Sequence, residues 1–196
     1  MTTGYIINGI GRCGTTLMHT FLMKYYQHKP FLVDMKDLDS HNITKNCVFK
    51  THCPFPQNSH KNKIKVLFMF GDIYNSAISY SRKDVWGKNA AKHLFLKNHD
   101  INYLNEDLYK FKRHFDNWIK KQSYPVMIVR YEKLYENLRQ ILDFCDLNHI
   151  PTSEFPPYKE RNTDWRNLSK TNLDKLQNIY GELKLYADSL PDIKIL

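Results

Sequence analysis

The chain lacks the features that mark membrane, secreted and repeat proteins. Among its 196 residues, no apolar run approaches the ~20 residues of a membrane-spanning helix. Met1-Thr2-Thr3 leads almost directly into an apolar strand, without the basic and apolar regions of a signal peptide. Internal repeats, low-complexity tracts and linkers rich in glycine and serine are also missing. We therefore expect a single soluble, cytoplasmic domain over residues 1–196.

Cysteine is scarce, and its spacing argues against the common cysteine-based sites. The four cysteines are Cys13, Cys47, Cys53 and Cys145, and no two of them form a C-x-x-C pair. There is no repeated pattern of cysteine and histidine either, so we expect no zinc or other metal site. Such sparse use is typical of free thiols in a reducing compartment.

Acidic residues are outnumbered by basic ones. The chain has 29 Lys and Arg against 20 Asp and Glu, which gives a formal net charge of +9. A basic surface favours anionic partners, which include nucleic acid, an anionic cofactor and an acidic glycan. Charge alone does not choose among them, and a generally basic surface without a dedicated partner fits equally well.

Strand-like and helix-like patterns alternate along the chain, which indicates an α/β fold. The predicted strands cover residues 4–8, 31–33, 47–51, 64–70 and 125–129. The pattern also predicts helices over residues 17–25, 72–82, 108–119 and 134–145, and a final helix after Ser169 whose inward stripe runs from Leu173 to Leu183. Continuous apolar runs such as Val66 to Met69 are typical of buried parallel strands. We therefore predict three layers, with a mainly parallel central sheet between helices.

A glycine-rich turn joins the first predicted strand to the first predicted helix. It reads Asn8-Gly9-Ile10-Gly11-Arg12-Cys13-Gly14-Thr15-Thr16. Such a turn directs backbone N–H groups at one point, where the helix dipole adds partial positive charge. Thr15 and Thr16 supply hydroxyl groups, and Arg12 adds a planar cation suited to phosphate oxygens. The sequence therefore predicts a phosphate-binding loop.

The loop departs from the pattern of proteins that bind nucleoside triphosphates. A kinase or NTPase requires G-x-x-x-x-G-K-[ST], and Thr15 stands at the lysine position here. Asp72 follows an apolar strand and would be a magnesium ligand in a kinase. We favour its other interpretation, as an N-terminal residue of the next helix. A small P-loop nucleotide kinase is therefore an alternative function rather than the preferred one.

Residues 9–17 resemble the 5′-phosphosulfate loop of sulfotransferases that use 3′-phosphoadenosine-5′-phosphosulfate (PAPS). That family typically has Lys or Arg followed by Ser-Gly-Thr-Thr, and Cys13 stands in place of the serine. Further segments resemble the family in the same order, and they are Phe49-Lys50-Thr51-His52, Ile64 to Tyr80, Val129 to Leu134, and Trp165-Arg166-Asn167. The resemblance spans nearly the whole chain and is weakest at residues 26–45 and 84–125.

The resemblance implies a P-loop NTPase-like fold, a catalytic pair and a donor-binding loop. Lys50 would stabilise the leaving phosphate, and His52 would act as the general base toward an acceptor hydroxyl or amine. The 5′-phosphosulfate would be held by Gly11, Arg12, Cys13, Gly14, Thr15 and Thr16. The acceptor would be a small molecule, a glycan or a peptide. We expect no metal, no dedicated nucleic-acid site and no association with a membrane.

The 3′-phosphate half of the implied donor site departs from the family. Ser79 matches the family serine, but the arginine that normally precedes it by eight residues is Gly71 here. The loss of a guanidinium removes a strong charge-assisted contact with the phosphate. Arg82 or Arg161 is the expected substitute.

The adenine side differs as well. The resemblance places Tyr131 near the adenine, whereas Leu17 stands where cytosolic members often carry a tryptophan. A third hypothesis is a non-catalytic, sulfotransferase-like protein that has lost donor binding at Gly71 and binds nucleic acid or other polyanions through its basic surface. Aromatic and basic residues do interleave at 109–121. The aromatic ones share one helical face, which favours core packing over base stacking.

Overall fold

A mixed sheet forms the centre of the fold, and the computed structural model describes residues 3–29, 32, 35, 38, 46–56, 64–81, 106–107, 110–160 and 163–196. Within these residues the strands are β1 (Gly4–Gly9), β2 (Gln27–His28), β3 (Cys47–Lys50), β4 (Ile64–Phe70), β5 (Val126–Arg130) and β6 (Ile193–Ile195). Their order is β2-β3-β1-β4-β5-β6. The first five are parallel, and β6 pairs antiparallel with β5. The predicted α/β class with a mainly parallel sheet is confirmed.

The helices lie between the strands in sequence. They are α1 (Thr15–Leu22), α2 (Ile73–Ser81), α3 (Phe111–Trp118), α4 (Leu138–Phe144) and α5 (Lys170–Ser189). Short 3-10 helices occupy Tyr131–Lys133, Thr152–Glu154 and Trp165–Asn167. In the described part of the chain, none of these helices has the length and apolar character needed to cross a membrane.

Both faces of the sheet are covered, because the side chains of each strand alternate in direction. Tyr5 and Ile7 of β1 pack in one apolar cluster with residues of α1 and α4. Ile6 packs in a second cluster with residues of α2, α3 and α5. Each fully buried side chain of this kind stabilises the fold by about 1.5–3 kcal/mol relative to exposure. Helices therefore flank the sheet on both sides, and the strands between them are almost entirely apolar.

The position of β1 determines where a site can form. After β1 the chain builds β2 and β3 on one side, and it then places β4 and β5 on the other. Such a reversal opens a crevice at the carboxyl ends of the strands, and ligands bind there in open α/β sheets. The register pairs Ile7 of β1 with Lys50 of β3 and Gly9 with Met69 of β4. The ends of these three strands thus lie at one edge.

Candidate functional site

The turn between β1 and α1 depends on two glycines. The φ angle is +150° at Gly9 and +78° at Gly14, a region that favours glycine. A Cβ at Gly9 would collide with the carbonyl of Met69 on the neighbouring strand. A Cβ at Gly14 would lie 2.5 Å from Cδ2 of the Tyr131 ring. The first glycine therefore lets the turn leave the sheet, and the second lets Tyr131 lie directly against it.

α1 begins at Thr15, immediately after this turn. No side chain caps its N-terminus, and its first turn holds no acidic residue. The first N–H groups of a helix have no partner within the helix, and the dipole adds partial positive charge at the same end. This combination makes the start of α1 suitable for an anion.

Lys50 lies at the end of β3, opposite the start of α1. Its Nζ donates a hydrogen bond to Oγ1 of Thr16 over 2.6 Å. Because Thr16 accepts this bond, its own O–H can donate to a phosphate oxygen. Burial lowers the pKa of Lys50. A charge in such a partly desolvated place interacts more strongly with an anion than one in water.

His52 lies level with Gly9, because the register already places Lys50 opposite Ile7. The Nδ1 atom of His52 is 3.0 Å from the carbonyl oxygen of Gly9. A carbonyl only accepts, so Nδ1 carries the proton and donates, which assigns the lone pair of the neutral ring to Nε2. A general base needs this arrangement, with one nitrogen oriented and the other basic.

Asn8 was not singled out from the sequence, although a polar residue that ends an apolar strand is a signal. It is completely buried. Its Oδ1 accepts from the backbone N–H of Gly9 over 2.6 Å, and its Nδ2 donates to the carbonyl of Cys53 over 3.1 Å. Asn8 thereby joins the start of the phosphate loop to the segment that carries His52.

The structure brings Arg12 and Ser79 together, although the resemblance assigns them to different ends of the donor. Nε of Arg12 donates to Oγ of Ser79 over 3.1 Å. Ser79 belongs to α2 and is mostly buried, whereas Arg12 is exposed. The expected helpers Arg82 and Arg161 lie outside the described residues. Arg12 therefore supplies a positive charge beside Ser79.

Gly71 lies against the carboxylate of Glu132. A Cβ at Gly71 would lie 2.8 Å from both carboxylate oxygens, and the backbone N–H of Asp72 donates to Oε1 over 3.2 Å. Any larger residue at position 71 would therefore have to displace Glu132.

Asp72 has a structural role at the start of α2. Its Oδ1 accepts from the backbone N–H of Asn75 over 2.7 Å, as in a helix N-cap. Its Oδ2 accepts from Nε1 of Trp165 over 3.2 Å and lies 3.4 Å from Nζ of Lys184. Among the described residues, no three His, Cys, Asp or Glu side chains are grouped to hold a metal ion. These contacts favour the helix-terminal interpretation of Asp72.

Cys13 and Tyr131, which the resemblance also assigns to the donor site, line the same region. Cys13 is buried, and its Sγ is 3.2 Å from Oγ of Ser76, which ties the loop to α2. Tyr131 directly follows β5 and lies over Gly14. The phosphate loop, Lys50, His52, Ser79 and Tyr131 thus meet at one edge of the sheet.

In comparisons with known proteins, no protein-family model and no curated protein matches the chain. A function therefore has to be inferred from the chemistry of the residues at this edge. It combines a helix start suited to an anion, a partly desolvated lysine and a histidine oriented through its Nδ1 atom.

Proposed function

We propose that the protein is a sulfotransferase that moves a sulfuryl group from PAPS to a hydroxyl or amine acceptor. The observation that carries the proposal is the convergence of Lys50 and His52 on the loop. Lys50 contacts Thr16 at the start of α1, and His52 contacts Gly9 at the start of the turn. The loop after β1 and the reversal of strand order at β1 also support a P-loop NTPase-like fold.

The proposed reaction is an in-line displacement at sulfur. The acceptor oxygen or nitrogen bonds to sulfur as the bond from sulfur to the phosphate oxygen breaks, and the acceptor proton passes to Nε2 of His52. Negative charge develops on the leaving phosphate and on the sulfuryl oxygens, as in phosphoryl transfer. The N–H groups at the start of α1, the hydroxyl of Thr16 and the ammonium of Lys50 would stabilise that charge, since all are held in place beforehand.

The 3′-phosphate of the donor would bind beside Ser79. In this proposal Arg12 provides the cation that Gly71 does not, because its guanidinium already contacts the serine hydroxyl. Arginine keeps its charge at all physiological pH values and presents several donors to phosphate oxygens.

A nucleotide kinase has less support. The phosphate loop lacks the Walker lysine, and both oxygens of Asp72 already contact protein groups. The polyanion-binding alternative predicts affinity for oligonucleotides without sulfuryl transfer, so a binding experiment separates all three functions.

The proposal is tested by thermal shift with 3′,5′-adenosine bisphosphate, ATP with Mg²⁺ and a single-stranded oligonucleotide in parallel. A ligand at 100 times its Kd stabilises a protein by about 2.7 kcal/mol, which shifts Tm by several degrees. We expect the bisphosphate to give this shift. Stabilisation by ATP with Mg²⁺ alone would identify a kinase, and stabilisation by the oligonucleotide alone would identify a polyanion binder.

The role of His52 is tested by His52→Ala with ³⁵S-labelled PAPS as the donor and a panel of phenols and amines as acceptors. Transfer should fall about 10²- to 10⁴-fold because the general base is lost, while the Kd of the bisphosphate should stay nearly unchanged. The exposed His149 provides the matched control variant, His149→Ala. A comparable loss of bisphosphate binding in His52→Ala would mean that His52 is structural.

A further inference from the structure

One face of α3 contacts four consecutive residues after β3. Nε2 of His114 donates to the carbonyl of His52, Nε1 of Trp118 donates to that of Cys53, and Nδ2 of Asn117 donates to that of Pro54, each over 2.9 Å. The guanidinium carbon of Arg113 lies 4.0 Å from the centre of the Phe55 ring. We call residues 52–55 the base segment.

The four helical residues share a face because they are spaced at positions i, i+1, i+4 and i+5. The base segment has left the sheet, and its carbonyls accept from side chains of α3. Pro54, and Pro56 directly after the segment, have no N–H group for pairing with a neighbouring strand. Side chains of α3 hold the segment instead. The base segment thus takes its position from α3 as well as from β3.

His114 contacts the backbone of His52 itself. It is 2% exposed and belongs to the same helix turn as Phe115, whose ring is completely buried. Because Nε2 donates to a carbonyl, the neutral ring carries its lone pair on Nδ1. Burial lowers the pKa of His114 to about 4, so this donor keeps its state throughout the neutral range.

His52 is therefore held at two points, its ring and its backbone. The phosphate loop holds its ring through the carbonyl of Gly9, and α3 holds its backbone through His114. Loss of the contact to His114 lets the base segment shift, which weakens the bond from Nδ1 of His52 to Gly9 and allows Nε2 to compete for the proton. Transfer depends steeply on such placement, since a displacement of about 1 Å can cost 10²-fold in rate.

We propose that His114, assisted by Asn117 and Trp118, is a positioning residue that keeps the proton of His52 on Nδ1 and its basic nitrogen toward the acceptor. The catalytic meaning of this arrangement rests on the proposed function. The effect of His114 on the His52 ring does not depend on that function, so the test measures this effect separately from catalysis.

The primary test measures the protonation of the His52 ring by NMR on ¹⁵N-histidine-labelled protein, without any ligand. His114→Leu removes the donor, His114→Gln restores an N–H of similar reach, and His149→Gln is the control at an exposed histidine. In the wild type and the control, the proton should reside on Nδ1 of His52. In His114→Leu both tautomers should be populated, and in His114→Gln the Nδ1 form should return. An unchanged His52 signal in His114→Leu would overturn the proposal.

Asn117→Ala provides a second variant in case His114→Leu does not fold, because Asn117 is only half-buried. It removes the donor to Pro54 and should broaden or split the His52 signal. A single sharp Nδ1–H signal in folded Asn117→Ala, with His114→Leu unfolded, would also overturn the proposal.

Kinetics then give the catalytic consequence, with ³⁵S-labelled PAPS and 4-nitrophenol as the probe acceptor. We expect His114→Leu to lower kcat by up to about 100-fold, with KM for PAPS and the Kd of the bisphosphate within twofold of the wild type. His114→Gln should recover most of the rate. Equal rates in folded His114→Leu and wild type would refute a positioning role. Absence of transfer in the wild type would count against the proposed function, while the NMR result still decides the role of α3.

Discussion

Two buried histidines should make the fold sensitive to mild acid. Burial lowers the pKa of His114 from 6.5 to about 4. Burial also lowers the pKa of His19 to about 4, with smaller contributions from His28 and Lys50 nearby. Both side chains are neutral in the folded protein at pH 5, whereas in the unfolded chain they are protonated. The unfolded state thus binds more protons between pH 6.5 and 4.

The direction of the effect follows from this difference. The contribution of each histidine to stability is complete above pH 6.5, and it is lost as the pH falls toward the folded-state value. With the pKa values above, each histidine removes about 2 kcal/mol of stability by pH 5, and about 3 kcal/mol at the most. Together they remove about 4 kcal/mol at pH 5, which is a large part of the ~5–15 kcal/mol of a typical domain.

The assay is urea unfolding at pH 7.5, 6.5, 5.5 and 5.0, extrapolated to water at each pH. Carboxylates titrate mostly below this range, and comparison with a variant that lacks both histidines separates their contribution from that of other groups. The double variant His19→Gln/His114→Gln lacks both histidines that are buried among the described residues. Its free energy of unfolding should fall by about 4 kcal/mol less than that of the wild type between pH 7.5 and 5.0.

His149→Gln, at an exposed position, should keep the pH dependence of the wild type. The reasoning is refuted if the wild type and the double variant lose the same free energy over this range. It is also refuted if the control variant loses its pH dependence, because the exposed histidine would then be the titrating group. The denaturant slope is checked at each pH, since a changed slope signals altered compactness rather than altered proton binding.

Two further substitutions test the donor site and its turn. Arg12→Ala should weaken 3′,5′-adenosine bisphosphate about 10- to 100-fold in calorimetry, as expected for a charged hydrogen bond, and leave 5′-AMP nearly unaffected. Equal losses for both nucleotides would assign Arg12 to the 5′-phosphate rather than to the 3′-phosphate. Gly14→Ala should destabilise the fold by at least about 1–2 kcal/mol in urea unfolding, since alanine disfavours a positive φ and its Cβ meets Tyr131. Gly181→Ala is the control, because its Cβ would be 3.7 Å from the nearest atom and alanine favours a helix; equal destabilisation by both would contradict the argument.

Long apolar runs allowed the main strands to be predicted. Four of the five predicted strands correspond to β1, β3, β4 and β5, because buried parallel strands carry their signal within their own residues. The fifth covers residues 31–33, of which the structure describes only Leu32. This residue forms an isolated bridge to Thr51. β2 and β6 were not predicted. They have two and three residues, and pairing with a neighbouring strand defines them rather than any local pattern.

The candidate site also has one part that the sequence predicts and another that it does not. The phosphate loop is continuous in sequence, so its glycines and threonines were recognisable together. The contact between Arg12 and Ser79 joins residues 67 positions apart, and that between His114 and His52 joins residues 62 apart. Any residue can accept a hydrogen bond through its backbone carbonyl. The sequence around an acceptor such as His52 therefore does not indicate which side chain donates to it. The aromatic face of α3 is core, as predicted, yet Trp118 also donates from within that core.

Gly71 and Glu132 bear on the order in which this sequence can change. An arginine at position 71 has no room while Glu132 keeps its place, and a shorter residue at position 132 deprives the Asp72 N–H of its acceptor. Because this carboxylate ends a flexible side chain, an arginine at position 71 requires Glu132 to turn away, and that movement also removes the acceptor of the Asp72 N–H. The effects of substitutions at the two positions should therefore depend on each other, so the outcome of a change at one depends on whether the other has already changed.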